Sequence, residues 1–156
     1  MSEHIKTRTS NNTKLPTSKF YILILSCSLI ILSASLEVMF RVKDVTLFNQ
    51  WIEQNKFVGD EALLLSQYIS LNLTVFFSKI IIPVMFGVYT YFAYIKLRIN
   101  QLYVFMWTVL NLGGLAYTAI EMNLNSVFYY VSIIGYAVML ITILSLVDVI
   151  RENKSK

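Results

Sequence analysis

Residues 71–94 read LNLTVFFSKIIIPVMFGVYTYFAY, and how this stretch is read decides the rest of the chain. It is apolar enough and long enough to cross a bilayer as a helix, which takes about 20 residues. Near its middle stands one positive charge, Lys79, and four residues on stands Pro83. A helical proline leaves the carbonyl four positions earlier without its N–H partner. That carbonyl belongs to Lys79 itself, so a charge and a backbone defect coincide at a depth where both are costly. The segment is therefore read as a transmembrane helix whose lysine either pairs with acids of neighbouring spans or reaches along its stem to the headgroups.

Working outward, three more apolar runs have the same character. They cover about 20–40, 102–122 and 127–149, and residues 41–70 form the one long loop. The expected fold is an all-α membrane protein, a bundle of four antiparallel transmembrane helices over 20–150. Ile99-Asn100-Gln101 and Asn123-Leu124-Asn125-Ser126 are too short to join anything but adjacent, oppositely directed helices. Residues 1–19 are polar, and a flexible cytoplasmic tail is expected there. Residues 151–156 form a second short tail. Thr17 or Ser18 is placed to cap the first span. Ser33-Ala34-Ser35 would suit signal-peptide cleavage, but the apolar run continues through Leu36 to Phe40, so the segment is read as retained.

In the long loop, Val45, Phe48, Trp51 and Ile52 recur at three- and four-residue spacing. This predicts a short amphipathic helix on the membrane surface, with Trp51 as its interfacial anchor at headgroup level. A loop packed on the spans is the alternative. Asp60 is placed to cap a further helix from Glu61 that runs into the second span.

The composition agrees with this layout. The chain is 56% hydrophobic and 14% charged, with a mean hydropathy of +0.62; a soluble domain carries about 25% charged residues. Its net charge of +4 does not indicate nucleic acid, because the bases flank the spans. Lys6, Arg8, Lys14, Lys19, Lys96, Arg98, Arg151, Lys154 and Lys156 fall on one side, and Arg41, Lys43 and Lys56 on the other. The richer side is cytoplasmic, which puts both termini inside. An abundance of Ile, Tyr, Phe, Asn and Lys points to an AT-rich bacterial genome, and with the four apolar runs a multi-pass protein of the bacterial cell membrane is expected. Cys27 is the single cysteine, read as a buried side chain.

Three spans carry an ionisable group, each on a stripe of three- and four-residue steps. These are Ser26-Ile30-Ser33-Glu37, Asn72-Phe76-Lys79-Pro83 and Asn111-Gly114-Thr118-Glu121. Glu37 lies three residues from Phe40, roughly 5 Å in, and Lys79 eight residues from Leu71, roughly 12 Å in. Helical side chains lean toward the N-terminus. Oppositely directed helices therefore bring the three charges toward one level, and Lys79 is predicted to pair with Glu37, Glu121 or both. Gly113, Gly114 and Thr118 offer a close-packing surface that Gly87 and Gly135 could meet, and Asn111 could bond across helices.

The only histidine, His4, stands in the tail, and no metal-ligand cluster, catalytic triad or phosphate loop is present. No enzyme activity, cofactor or metal is expected. Asn72-Leu73-Thr74 matches a glycosylation sequon at a span's edge and is read as chance. Two functions remain. One is an accessory or regulatory subunit acting through helix–helix contacts with itself or another membrane protein, such as a sensor kinase, a transporter or a secretion complex. Immunity to a membrane-active peptide is a variant of it. The other is a small oligomeric transporter or channel using the Lys/Glu cluster. The absence of an internal repeat weighs against an inverted-repeat transporter.

Overall fold

The computed structural model describes residues 13–97, 99–121 and 126–153. The first twelve residues, Arg98, the turn residues 122–125 and the last three residues lie outside it, and with them His4, the Asn123–Asn125 turn and several of the flanking bases. The described chain is helical: α1 Thr17–Lys43, α2 Val45–Asn55, α3 Glu61–Ile95, α4 Gln101–Ile120, α5 Val127–Leu144 and α6 Leu146–Glu152. Four helices are long and apolar enough to cross a membrane: α1, α3, α4 and the run Val127–Glu152 that joins α5 to α6.

The helix starts follow from side-chain acceptors. Asp60 accepts from the Ala62 N–H at the head of α3, and Asn100 accepts from the Tyr103 N–H at the head of α4, at 2.8 Å. Each satisfies an N–H that the helix itself leaves unpaired. Asp44 does the same for α2, accepting from Thr46 and Leu47. The start of α1 differs from expectation. Pro16 occupies the cap position with no side-chain bond, and the Thr17 hydroxyl lies 3.3 Å from the Tyr94 hydroxyl instead. Proline's fixed φ, here −63°, suits a helix entrance without a side-chain acceptor.

Residues 13–19, expected to belong to a flexible tail, pack on the rest of the protein. Thr13 exchanges two backbone hydrogen bonds with Ile99, at 3.0 and 2.8 Å, and Leu15 is fully buried beside Ile99, Leu146 and Ile150. Asn153 Nδ2 donates to Thr13 Oγ1 at 3.3 Å. The segment before α1, from Thr13 to Leu15, is thus tied to Ile99 between α3 and α4 and to the α6 end of the chain. Local polarity could not foresee this, because the partners are distant in sequence.

Helix α1 packs against α3 and α5, and α4 packs against α5 and more sparsely against α3. The core they enclose includes Leu23, Cys27, Ile30, Phe86, Trp107, Tyr136 and Met139. Many hydroxyls in these helices donate to the carbonyl four residues back, as Ser26 does to Ile22 and Thr142 to Val138. That settles a polar group inside an apolar segment without a partner helix. Ser33 instead donates across to the Phe128 carbonyl, at 2.9 Å.

The glycines divide sharply. A Cβ on Gly114 would sit 2.7 Å from the Tyr136 hydroxyl and 2.9 Å from two ring carbons, and one on Gly135 would sit 2.7 Å from Ile30 Cγ1. Gly87 has only ordinary room beside Cys27, and nothing lies within 4 Å of a Cβ on Gly113. Three expectations are corrected here. Gly113 is exposed, one residue off the packed stripe, and takes no part in packing. Gly87 and Gly135 both face α1, not Gly114. Gly113→Ala should accordingly be neutral or stabilising by up to about 1 kcal/mol, the helix-propensity difference, in thermal unfolding of the purified protein. A clear loss of stability would mean that this face is covered.

The loop helix forms as the periodicity suggests, but its apolar face packs on protein. Phe48 is buried with Leu64 and Tyr68 of α3, and Trp51 and Ile52 pack around them. Trp51 lies within ring contact of Phe48, Phe57 and Tyr68. Val45 is excluded from that face, being 67% exposed. The Tyr68 hydroxyl donates to the Arg41 carbonyl at 3.2 Å and ties the first turns of α3 to the end of α1.

Candidate functional site

Each of the three polar stripes turns inward. Ser26, Ile30, Ser33 and Glu37 are all buried, as are Asn72 and Pro83 on α3 and Asn111, Gly114 and Thr118 on α4. At one level the stripes of α1, α3 and α4 meet. Lys79 Nζ lies 2.8 Å from Glu37 Oε2 and 2.5 Å from Glu121 Oε2. The ammonium therefore stands between two carboxylates from different helices, the most closed of the arrangements open to it. These are not surface pairs: the side chains of Lys79 and Glu37 are 12% and 8% exposed.

A fourth charge joins them. Arg41 Nη2 contacts Glu37 Oε1 at 2.8 Å. Glu37 thus holds one cation on each oxygen, and the cluster of two acids and two bases is neutral. Arg41 was not among the residues expected at the site, although its spacing of four from Glu37 on one helix was a readable signal. Glu121 stands at the C-terminal end of α4, as the cap residue that follows Ile120. An acid at that end opposes the helix dipole, and the Lys79 ammonium offsets the conflict.

Pro83 is buried one turn along α3 from Lys79, inside the helix. It has no N–H to offer the Lys79 carbonyl. Charge and backbone defect thus occupy one turn, as the sequence requires. Asn111 and Thr118 lie apart from this site, along the α4 face that meets Tyr136. Asn111 does not bridge helices as expected: its Nδ2 donates to Trp107 O of its own helix at 2.7 Å, and its Oδ1 is buried without a partner. The Thr118 hydroxyl likewise donates within α4, to Gly114 O.

Two hollows adjoin the cluster. A recess of about 10 Å³, the room of one water molecule, lies between α1 and α3 and is lined by Glu37, Arg41, Asn72 and Lys79. Beyond it opens a cleft of about 1220 Å³. Arg41, Lys43 and Asp44 mark its side at the end of α1, Trp51 and Tyr68 come from α2 and α3, and Glu121 and Phe128 close the far wall. Glu37 and Glu121 are therefore reachable from the cleft, while Lys79 lines only the recess.

The Asp44 carboxyl on the rim is held below its usual value. The Thr46 hydroxyl contributes most, and the Leu47 N–H adds to it. A depressed folded-state value means a stability contribution that is present above the unfolded value and lost as pH falls through the folded one. The start of α2 should therefore be firm at neutral pH and fray in acid below the ordinary carboxyl value of 3.8. Hydrogen exchange at the Thr46 and Leu47 amides reads this directly. Asp44→Ala should abolish the pH dependence; an unchanged dependence would assign it to another group.

The fold and site define a compact helical protein with four membrane-crossing-length helices and a neutralised charge cluster among three of them. In comparisons with known protein families, curated proteins and solved structures, the chain matches none. Among the described residues, no group of His, Cys, Asp and Glu has the geometry to hold a metal ion.

Proposed function

We propose that the chain is a multi-pass protein of a bacterial cytoplasmic membrane, an antiparallel four-helix bundle with both termini inside. In this reading it is a non-enzymatic accessory or regulatory subunit that works through helix–helix contacts. The observation that carries the reading is the bareness of α3. Only 17% of its most apolar window is buried, against 39% for α1, 33% for α4 and 44% for the α5–α6 run. Its outer face presents Phe77, Ile81 and Met85, together with hydroxyls of Thr74 and Ser78 that are bonded back to their own helix. Small residues on such a face let another backbone approach closely. The charged cluster supports the same reading, since its members satisfy one another and act as a lock on helix packing.

Photo-crosslinking from α3 in native membranes tests this. A crosslinker at Phe77, Ile81 or Met85 should give a discrete protein adduct, while one at Leu25 or Leu32 of α1 gives none. Lipid adducts alone from all three α3 positions would sink the proposal. The cleft favours a second reading, a small oligomeric transporter using Glu37, Lys79 and Glu121. Against it, the side chains on the far side of Lys79 from the cleft, among them Ile30, Phe86 and Trp107, are close-packed and buried. Flux in liposomes that disappears in a well-assembled Lys79→Met variant would favour transport.

A further inference from the structure

The charge cluster also marks a depth. Glu37 stands twenty residues beyond the start of α1 at Thr17, and Glu121 twenty beyond the start of α4 at Gln101. Each distance is roughly 30 Å of helix at 1.5 Å per residue, the thickness of a bilayer's hydrocarbon layer. Lys79 stands sixteen residues from the end of α3 at Ile95, roughly 24 Å, and its side chain leans toward the helix N-terminus for the rest. Three helices counted from the same end thus bring the cluster to one edge of the hydrocarbon.

Helix α3 does not stop there. Residues 61–74, roughly 20 Å of helix, continue beyond that edge. Leu64 and Tyr68 of these turns pack with Phe48 of α2. The opposite side is bare: Leu63, Ser66, Ser70, Leu73, Phe77 and Ile81 are all exposed, and steps of three and four put them on one stripe. Helix faces turned to water normally carry charge. Lys79 is the only charged residue between Glu61 and Lys96, and it pairs with α1 on the other side of the helix. Acyl chains can cover the stripe from Phe77 inward, but they do not reach Leu63, Ser66 and Ser70.

We propose that a second copy of this chain covers the stripe, α3 beside α3, about a two-fold axis along the membrane normal. A covering helix must be apolar inside the bilayer and then continue outside it, uncharged, for roughly another 20 Å. Helix α3 itself has that length and that sequence at the matching levels. Two-fold pairing sets each residue near its own copy, so a charge on the stripe would meet itself, and the stripe carries none. Thr74 and Ser78, beside the stripe, spend their hydroxyls on their own helix and ask no polar partner of the copy. The inference rests on the orientation and the helix-contact reading proposed above, and it names the partner.

Disulfide crosslinking of the full-length protein in lipid vesicles tests this, because the native Cys27 is buried. Ser66→Cys and Ser70→Cys, each a near-isosteric change on the stripe, should give on oxidation a linked species of twice the 18.0 kDa chain. Leu65→Cys, exposed on the same turns but off the stripe, should give several-fold less. Equal yields at all three positions, the mark of random collision, overturn the proposal, as does the lack of a linked species at Ser66 and Ser70. Ser70→Glu sets like charges against each other and should weaken self-association on the order of 10-fold, read by subunit counting at falling protein-to-lipid ratio. Unchanged association in that variant overturns the proposal. A discrete Phe77 crosslink to a different protein, without a disulfide at Ser66 or Ser70, keeps the helix-contact reading and overturns this one.

Discussion

Lys79→Met should destabilise the protein by roughly 3–5 kcal/mol, the cost of removing one partner from a buried ion pair. The reason lies in what remains. Methionine matches the lysine stem in size but leaves Glu37 and Glu121 facing each other, with Arg41 still on Glu37. Glu121 then has no cation at the end of a helix whose dipole already opposes it. Neutralising that one acid should suffice for repair. Lys79→Met with Glu121→Gln should recover most of the loss, whereas Lys79→Met with Glu37→Gln should not, because it strands Arg41 as well. Thermal unfolding in a neutral detergent reads all three. A single variant as stable as the parent, or a Glu121→Gln double no better than the single, would show that the cluster does not hold the helices.

The second large effect is expected at Gly114. An added methyl group must enter space held by the Tyr136 ring, and that ring is 2% exposed and cannot swing into solvent. Gly114→Ala should therefore cost about 1–3 kcal/mol, the usual range for overpacking. Because the clash involves ring carbons as well as the hydroxyl, Tyr136→Phe should not relieve it. Tyr136→Leu should, so that Gly114→Ala with Tyr136→Leu loses less than the two single changes added together. If Gly114→Ala were as harmless as Gly113→Ala, the α4–α5 seam would have to be looser than described.

Much of this was legible because charge in an apolar segment is expensive. Glu37, Lys79 and Glu121 had to find each other, and their stripes named the faces that would turn inward. Helical geometry alone placed Ser26, Ile30 and Ser33 with Glu37. The same geometry excludes Gly113, which stands a hundred degrees or so from Gly114 on a helix of 3.6 residues per turn. Reading both glycines as one packing surface ignored that rotation. What the sequence could not reveal were pairings between distant segments. Nothing in Thr13 or Leu15 announces Ile99, nothing in Gly114 announces Tyr136, and nothing in the amphipathic Val45–Asn55 segment says that Leu64 and Tyr68 will cover Phe48. Membrane-surface helices and helices packed on a neighbouring span carry the same periodicity. Arg41 is a different matter, since its partner was one turn away on its own helix.

The central claim is that one ammonium is shared by two carboxylates from separate helices. Solid-state NMR of the protein in bilayers tests it most directly, through dipolar coupling between ¹⁵Nζ-labelled lysine and ¹³Cδ-labelled glutamate. The Lys79 signal should be dephased by two carboxyl carbons, with one contribution lost in Glu37→Gln and the other in Glu121→Gln. A Lys79 amine that shows no coupling to either carboxylate would contradict the account.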